Sequence, residues 1–384
     1  MKNIRLGIIG LGSMGRSHAQ MIIDGKVPRL ALHAVCDNES DLTGFGPVKT
    51  YQRSEDLIRS GEVDAVLIAT PHYQHTTIGM DALRQGLHVL VEKPISVHKA
   101  DALKLIAAHR DKKQVFAAMF NQRTDPRYTK LRQLIQSGEL GEVRRVNWII
   151  TNWFRTQAYY NSGGWRATWA GEGGGVLLNQ CPHNLDLLQW LFGMPKSLQA
   201  FCAIGRYHEI EVEDDVTAYL EYPNGATGVF VTSTGEAPGT NRLEVTTDRG
   251  RVVLEDGRIR WDRTEVPVQR FCNTTSERWS TPPLWKVEIP VEGNGEQHLG
   301  ILKNFTAAIL DKVPLIAPAA EGIHSVELAN AMLLSSHLGK RIELPISPVT
   351  YAGFLKKRIA SSRFKKKVVK IDGPRDMANS FGKP

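Results

Sequence analysis

The sequence predicts an α/β chain in two parts: a doubly wound parallel sheet, then an α+β part with a large open, mainly antiparallel sheet. Three observations carry this. Short apolar runs alternate with amphipathic stretches as far as residue 120. A glycine-rich turn follows the first of those runs. Beyond residue 120, strand-like runs follow one another with only turn sequences between them.

In order, the apolar runs are Ile4–Ile9, Leu30–Cys36, Ala65–Ala69, His88–Val91 and Val115–Met119. Helix-like segments lie between them near Met14–Asp24, Ser54–Ser60, Thr76–Gln85 and Lys99–Arg110. Strands that are apolar throughout and separated by helices are what a parallel sheet covered on both faces requires. After residue 120, Tyr128–Ser137 reads as a helix ended by Gly138, and Val143–Thr151 as a strand. Gly173–Leu191 contains a helix that Gly193 and Pro195 close. From Leu198 to Trp261, Pro223-Asn224-Gly225, Asp248-Arg249-Gly250 and Glu255-Asp256-Gly257 mark hairpin turns between antiparallel strands. Helices near Gln297–Leu310 and Ala320–Leu338 follow. We place the boundary so that residues 1–122 form the nucleotide-binding unit and 123–384 a substrate-binding and oligomerisation unit.

Bulk properties narrow the classes. The 384 residues are 42% hydrophobic and 23% charged, an ordinary globular balance. No run of eighteen apolar residues occurs, and Lys2–Ile9 reads as a strand rather than a leader, so neither export nor membrane insertion is expected. Cys36, Cys181, Cys202 and Cys272 are dispersed, which fits reduced thiols and a cytoplasmic address. Much of the net charge of +8 sits in Lys356-Lys357-Arg358 and Arg363–Lys367. No nucleic-acid motif accompanies that basic stretch, so we expect a solvated tail or one docked on a neighbouring subunit.

Gly10-Leu11-Gly12-Ser13-Met14-Gly15 has a strand before it and a helix after it, and Asp37 ends the second strand about 20 residues on. That context turns a weak motif into a Rossmann dinucleotide site. The glycines let backbone approach a pyrophosphate, and the helix N-terminus offers it free N–H groups. A carboxylate at Asp37 accepts from ribose hydroxyls and repels a 2′-phosphate, so NAD is favoured over NADP; Arg53 is the nearest cation that bears on this.

Further along come Ala69-Thr70-Pro71-His72, His75, and Gly86–Val91 leading into Glu92-Lys93-Pro94. The stretch Gly173-Gly174-Gly175 through Asn179, His183 and Asp186 forms a second block. With the glycine turn, these resemble the glucose-fructose oxidoreductase / inositol dehydrogenase / rhizopine catabolism (Gfo/Idh/MocA) family over nearly the whole chain. The resemblance implies that Lys93 and His183 are the catalytic pair. The third member, four residues before the histidine, is usually aspartate; here it is Asn179, which cannot ionise but can orient a hydroxyl. His72 stands where the family often has asparagine.

The residue chemistry agrees with that implication. Oxidising an alcohol needs a base whose pKa lies near 7; a neutral histidine suits, as does a lysine lowered by burial or a nearby cation. Lys93 follows a parallel strand, at the sheet end where ligands bind. His72 and His75 form an H-x-x-H without a third ligand, poor evidence for zinc, and no metal is expected. They would contact cofactor or cap a helix. Candidate cofactor contacts are therefore Gly10, Gly12, Ser13, Met14, Gly15, Asp37, Ala69, Thr70, His72, His75, Glu92, Lys93 and Asn121. Asn152 through Trp169 is rich in aromatics and arginine, suited either to a sugar face or to a subunit interface. Substrate candidates are Lys93, Arg123, Asn152, Trp165, Arg166, Asn179 and His183.

The expected activity is reversible, NAD-dependent oxidation of a secondary hydroxyl on a sugar, glycoside or cyclitol. Two alternatives stand beside it: redox-assisted glycoside cleavage, which some relatives perform, and a non-catalytic NAD-binding sensor. A homo-oligomer, dimer or tetramer, is expected from the open sheet, which has one face needing cover.

Overall fold

The computed structural model describes residues 3–369. Its first sheet holds six parallel strands: β1 (Ile4–Ile9), β2 (Leu30–Cys36), β3 (Lys49–Tyr51), β4 (Ala65–Ile68), β5 (His88–Val91) and β6 (Phe116–Ala118). Their spatial order is β3-β2-β1-β4-β5-β6, so the order reverses between β1 and β4, and a ligand crevice opens there. Helices α1 (Ser13–Ile23), α2 (Ser54–Arg59), α3 (His72–Arg84) and α4 (Lys99–Ala108) make the crossovers. The central strands are buried on both faces, as their unbroken apolar runs require; β4 is buried at all four residues. The three-residue β3 adds a strand to the five expected, and α3 begins at His72, four residues earlier than its apolar periodicity indicates.

The second sheet has nine strands. They are β7 (Val143–Ile150), β8 (Ser197–Ile204), β9 (Glu213–Glu221), β10 (Thr227–Ser233), β11 (Asn241–Thr247), β12 (Gly250–Glu255), β13 (Arg258–Thr264), β14 (Leu284–Ile289) and β15 (Ile342–Glu343). Each of the three expected turns joins an antiparallel pair: β9 to β10, β11 to β12 and β12 to β13. One pair breaks the pattern, because β10 runs parallel to β7 with Phe230 opposite Trp148. Residues alternate between faces. Val146, Trp148 and Ile150 of β7 are buried, as are Val216, Ala218 and Leu220 of β9. Ile149, Phe201, Tyr219 and Val229 stand exposed on the outer face.

The remaining helices are α5 (Pro126–Gln136), α6 (Gln157–Asn161), α7 (Pro182–Phe192), α8 (Val268–Thr274), α9 (Gln297–Asp311), α10 (Gly322–Leu338) and α11 (Pro348–Ser361). The inner face of the second sheet shares one core with α7 and α10. Helix α9 belongs to the other core: Ile301, Leu302, Phe305 and Ile309 pack with the first sheet. After α9 the chain runs beside β6, where the Ala118 N–H donates to the Ala317 carbonyl at 3.0 Å and covers the sheet edge. A buried Lys99–Glu327 pair at 2.7 Å ties α4 to α10. Among the described residues no helix is long and apolar enough to cross a membrane.

The basic segment after α11 docks on its own chain. Lys366 Nζ donates to the backbone carbonyls of Tyr160 and Arg166, and the Val369 N–H donates to the Asn161 carbonyl at 3.1 Å. At Lys366 this corrects the expectation of a solvated tail or one held by another subunit, while Lys356, Lys357, Arg363, Lys365 and Lys367 stand exposed. The aliphatic stem and three donors of a lysine reach carbonyls that a purely local pattern gives no hint of.

Candidate active site

A cleft of about 1070 Å³ runs from the carboxyl ends of β1, β2 and β4 to the start of α7. It exceeds the usual single-ligand range of roughly 300–1,000 Å³, leaving room for a dinucleotide and a second molecule. At one end Gly10 turns the chain at φ +96°, and a Cβ there would meet the Ala69 carbonyl carbon at 2.6 Å. Nothing lies within 4 Å of where a Gly12 side chain would project, and no side chain caps α1. Bare helix N–H groups therefore face the cleft, a fit for a pyrophosphate. Gly15 packs beneath this turn without lining the cleft; Ser13, Met14, Ala69 and Thr70 line it.

Asp37 lies beside them. Its Oδ2 accepts from the Leu11 N–H at 2.6 Å, and its Oδ1 from Glu39 and Ser40 at 2.9 and 2.7 Å. Burial works to raise its pKa, yet these three N–H groups outweigh that and hold it below the ordinary carboxylate value. Arg53 lines the same end but is 71% exposed and leans on Glu55 at 3.8 Å.

The other end gathers Lys93, Asn179 and His183. Lys93 follows β5, and its Nζ donates to the Asn179 backbone carbonyl at 2.7 Å. Burial lowers the lysine's pKa and Glu92 opposes this, while Arg155 and Arg166 add to the fall, leaving it at about 8. His183 opens the first turn of α7; burial, then Lys93, push its pKa well below the usual histidine value. Glu92 Oε1 pairs with His18 Nε2 at 2.7 Å, and its Oε2 accepts the Lys93 N–H at 3.2 Å.

The loop carrying Asn179 is tight for a steric reason. A Cβ on Gly175 would meet the Glu213 carbonyl oxygen at 1.9 Å, so only glycine passes there. Asn179 Nδ2 donates to Glu172 Oε1, which turns the amide oxygen the other way. The other oxygen of Glu172 accepts the Ala167 N–H at 2.6 Å. Glu172 is 1% exposed, and burial raises its pKa against the pull of Arg166, Ala167 and Asn179.

Trp165 and Arg166 line this end, with Arg166 stacked between Tyr159 and Trp165 at 4.7 and 4.5 Å. His72 Nδ1 faces the Glu172 carbonyl at 3.2 Å, and both ring nitrogens of His75 face carbonyls, of Pro94 and Thr70. Both histidines line the cleft wall.

Three candidates lie elsewhere. Arg123 is buried in a two-pronged pair with Asp186 at 2.6 and 2.7 Å, and also reaches Glu321 at 2.5 Å. Asn121 bonds Gln297 on α9 at 2.9 Å. Asn152 sits in an extended segment whose alternate residues, Trp153 and Arg155, line the cleft instead. Residues beyond the candidates also line it: Arg155, Tyr159, Gln180 and His298. The alternation after β7 is the signal that points to Arg155; nothing local marks His298.

The family described as "Oxidoreductase family, NAD-binding Rossmann fold" matches residues 4–120, and "GFO/IDH/MocA C-terminal domain" matches residues 128–253. Trans-1,2-dihydrobenzene-1,2-diol dehydrogenase of Bos taurus is 32% identical over 222 residues, 58% of this chain and 63% of that protein. Inositol 2-dehydrogenase of Corynebacterium glutamicum is 28% identical over 199 residues, 50% of this chain and 55% of that protein. The match thus spans between half and two thirds of these curated relatives. Among solved structures, the WlbA dehydrogenase of Chromobacterium violaceum, in complex with NADH and UDP-GlcNAcA, is 26% identical. It superposes with a TM-score of 0.76, covering 90% of this chain and 97% of that one. With its glycine turn, Glu92-Lys93-Pro94 and the Asn179–His183 block arranged around one cleft, the chain belongs to the Gfo/Idh/MocA oxidoreductase family.

Proposed function

We propose that this chain oxidises a secondary hydroxyl of a sugar, glycoside or cyclitol to a ketone, reversibly, with NAD. The observation that carries the reading is a lysine of pKa about 8 beside a neutral histidine, in the same cleft as an uncapped helix and Asp37. Gly10, Gly12, Ser13, Met14, Ala69 and Thr70 would hold the pyrophosphate half, and Asp37 the adenosine ribose, in preference to a 2′-phosphate. Bound NAD supplies the hydride acceptor.

The chain's own residues handle the proton and the orientation. Lys93, neutral in a useful fraction near pH 8, takes the hydroxyl proton. His183 is kept neutral and holds the same oxygen by hydrogen bonding. Asn179, its amide nitrogen committed to Glu172, presents Oδ1 to accept from a substrate hydroxyl. The division near residue 122 into cofactor-holding and substrate-holding parts belongs to the same reading, with α9 returning to the core of the first part. So does a homo-oligomer, dimer or tetramer, joined through the outer face bearing Phe201, Tyr219 and Val229, where a patch of apolar side chains is left to solvent. Light scattering that gives a monomer at micromolar concentration counts against that assembly.

The activity is tested by incubating the protein with NAD and glucosides, anhydrosugars and inositols, following NADH absorbance and analysing products. NADH rising in step with a ketone supports the dehydrogenase. Glycoside cleavage without net NADH replaces it with redox-assisted elimination, and NADH binding without turnover leaves a sensor.

A further inference from the structure

The reacting end of the cleft is lined by more cationic side chains than proton transfer requires. Lys93, Arg155 and Arg166 all line it, and among the described residues the carboxylate lining that end is Glu92. Both oxygens of Glu92 are engaged, with His18 and with the Lys93 N–H. Glu172 lies behind the wall, occupied by Asn179 and Ala167.

Arg166 is the most informative of the three. Its one side-chain hydrogen bond among the described residues goes to Tyr159 Oη at 2.9 Å, leaving most of its five N–H donors uncommitted. Arg123 is the contrast: it is bonded to two carboxylates, whereas Glu172 attracts Arg166 without a hydrogen bond between them. Arg166 is also held in place from both sides of its peptide. Lys366 Nζ grips its carbonyl at 2.7 Å, and Glu172 takes the N–H of Ala167, which sits at φ +59°. Backbone held in that sparsely populated region is fixed by its surroundings, here so that a guanidinium faces the cleft between two aromatic rings. A planar, rigid fork of donors on a pre-set loop is the usual recogniser of a carboxylate or phosphate.

We propose that the substrate carries an anionic oxygen group, a carboxylate or a phosphate, seated against Arg166 and Arg155 while its carbinol faces Lys93 and His183. This rests on the NAD-dependent oxidoreductase reading above and narrows its substrate class from neutral polyols to sugar acids or sugar phosphates. That both arginines lower the pKa of Lys93 supports their closeness to the reacting end.

The test uses the full chain saturated with NADH, so that alcohols bind without turning over. Glucose, galactose and mannose, their uronates, uronamides and 6-phosphates, are titrated by calorimetry at low and moderate KCl. At least one uronate or 6-phosphate should bind about 10- to 100-fold tighter than its neutral partner, the span of one or two charge-assisted hydrogen bonds. The preference should shrink with salt. A gain for uronates over uronamides identifies a carboxylate, and a gain for 6-phosphates a phosphate. Arg166→Met should bring the ratio within about threefold, with NADH binding reporting that the variant is folded. If no anionic probe gains on its neutral partner, or the gain survives in both Arg166→Met and Arg155→Met, the proposal is overturned. Failure of the unmodified chain to bind NADH instead removes the oxidoreductase reading on which it stands.

Discussion

The two candidate bases make opposite predictions for the pH dependence of alcohol oxidation. Lowering the pKa of Lys93 from 10.5 to about 8 multiplies its neutral fraction at pH 7 by roughly 300. If Lys93 takes the proton, kcat/KM at saturating NAD should rise about tenfold between pH 7 and pH 9, with its midpoint near 8. If His183 takes it, the rate should be flat over that window, because a histidine whose pKa lies well below 6.5 is already neutral throughout. The groups facing Lys93 give a second handle. Arg166→Met removes a cation that depresses the lysine, so the midpoint should move to higher pH and the rate at pH 7 should fall. The assay is initial NADH formation on the best substrate, in buffers of constant ionic strength. A flat profile, or a midpoint that persists in Lys93→Met, refutes the assignment of the base to Lys93.

Lys93→Met should also stabilise the fold at pH 7 by about 1–3 kcal/mol in urea unfolding, discounted because the lysine is partly open to the cleft. The sign follows from its depressed folded pKa. The folded state binds fewer protons between about 8 and 10.5, so the wild type gains stability as pH rises through that window and carries the full cost below it. Glu172→Gln places an amide donor against either Asn179 Nδ2 or the Ala167 N–H, leaving one buried donor unmet at about 1–3 kcal/mol of stability. Because Glu172 raises the pKa of Lys93, the same change should lower the midpoint of the rate profile, which a purely structural role would leave in place. Arg123→Met strands Asp186 in the interior and should cost about 3–5 kcal/mol by denaturant unfolding, with little effect on NADH affinity.

Which parts were legible in the sequence follows from the range of each signal. The first sheet announces itself because every buried strand is an apolar run and Gly10–Gly15 sits where β1 meets α1. β3 escapes because Lys49-Thr50-Tyr51 is too short and polar to form such a run, and is recruited only by pairing with β2. Arg123 reads as a cleft residue because it follows β6. Its partner, Asp186, is 63 residues away and no local pattern links them. Asn179 is visible as a departure from a family pattern, whereas the carboxylate that orients it, Glu172, looks like an ordinary acid before a glycine run. The docking of Lys366 on a loop 200 residues earlier has no local signature at all.

The placement of α9 carries a consequence for how the protein is made. Ile301, Leu302, Phe305 and Ile309 complete the core of a sheet whose last strand ends at Ala118. At the usual pace of synthesis, roughly 10–40 s separate the emergence of that strand from the arrival of its covering helix. During that interval the nascent sheet has its strands but not its lid, and the apolar side chains that α9 will cover face solvent or a chaperone. The nucleotide-binding part therefore cannot finish folding in the order in which it is written. Its last structural piece is encoded after nearly the whole second sheet, which makes the two parts of the chain reach their final form together.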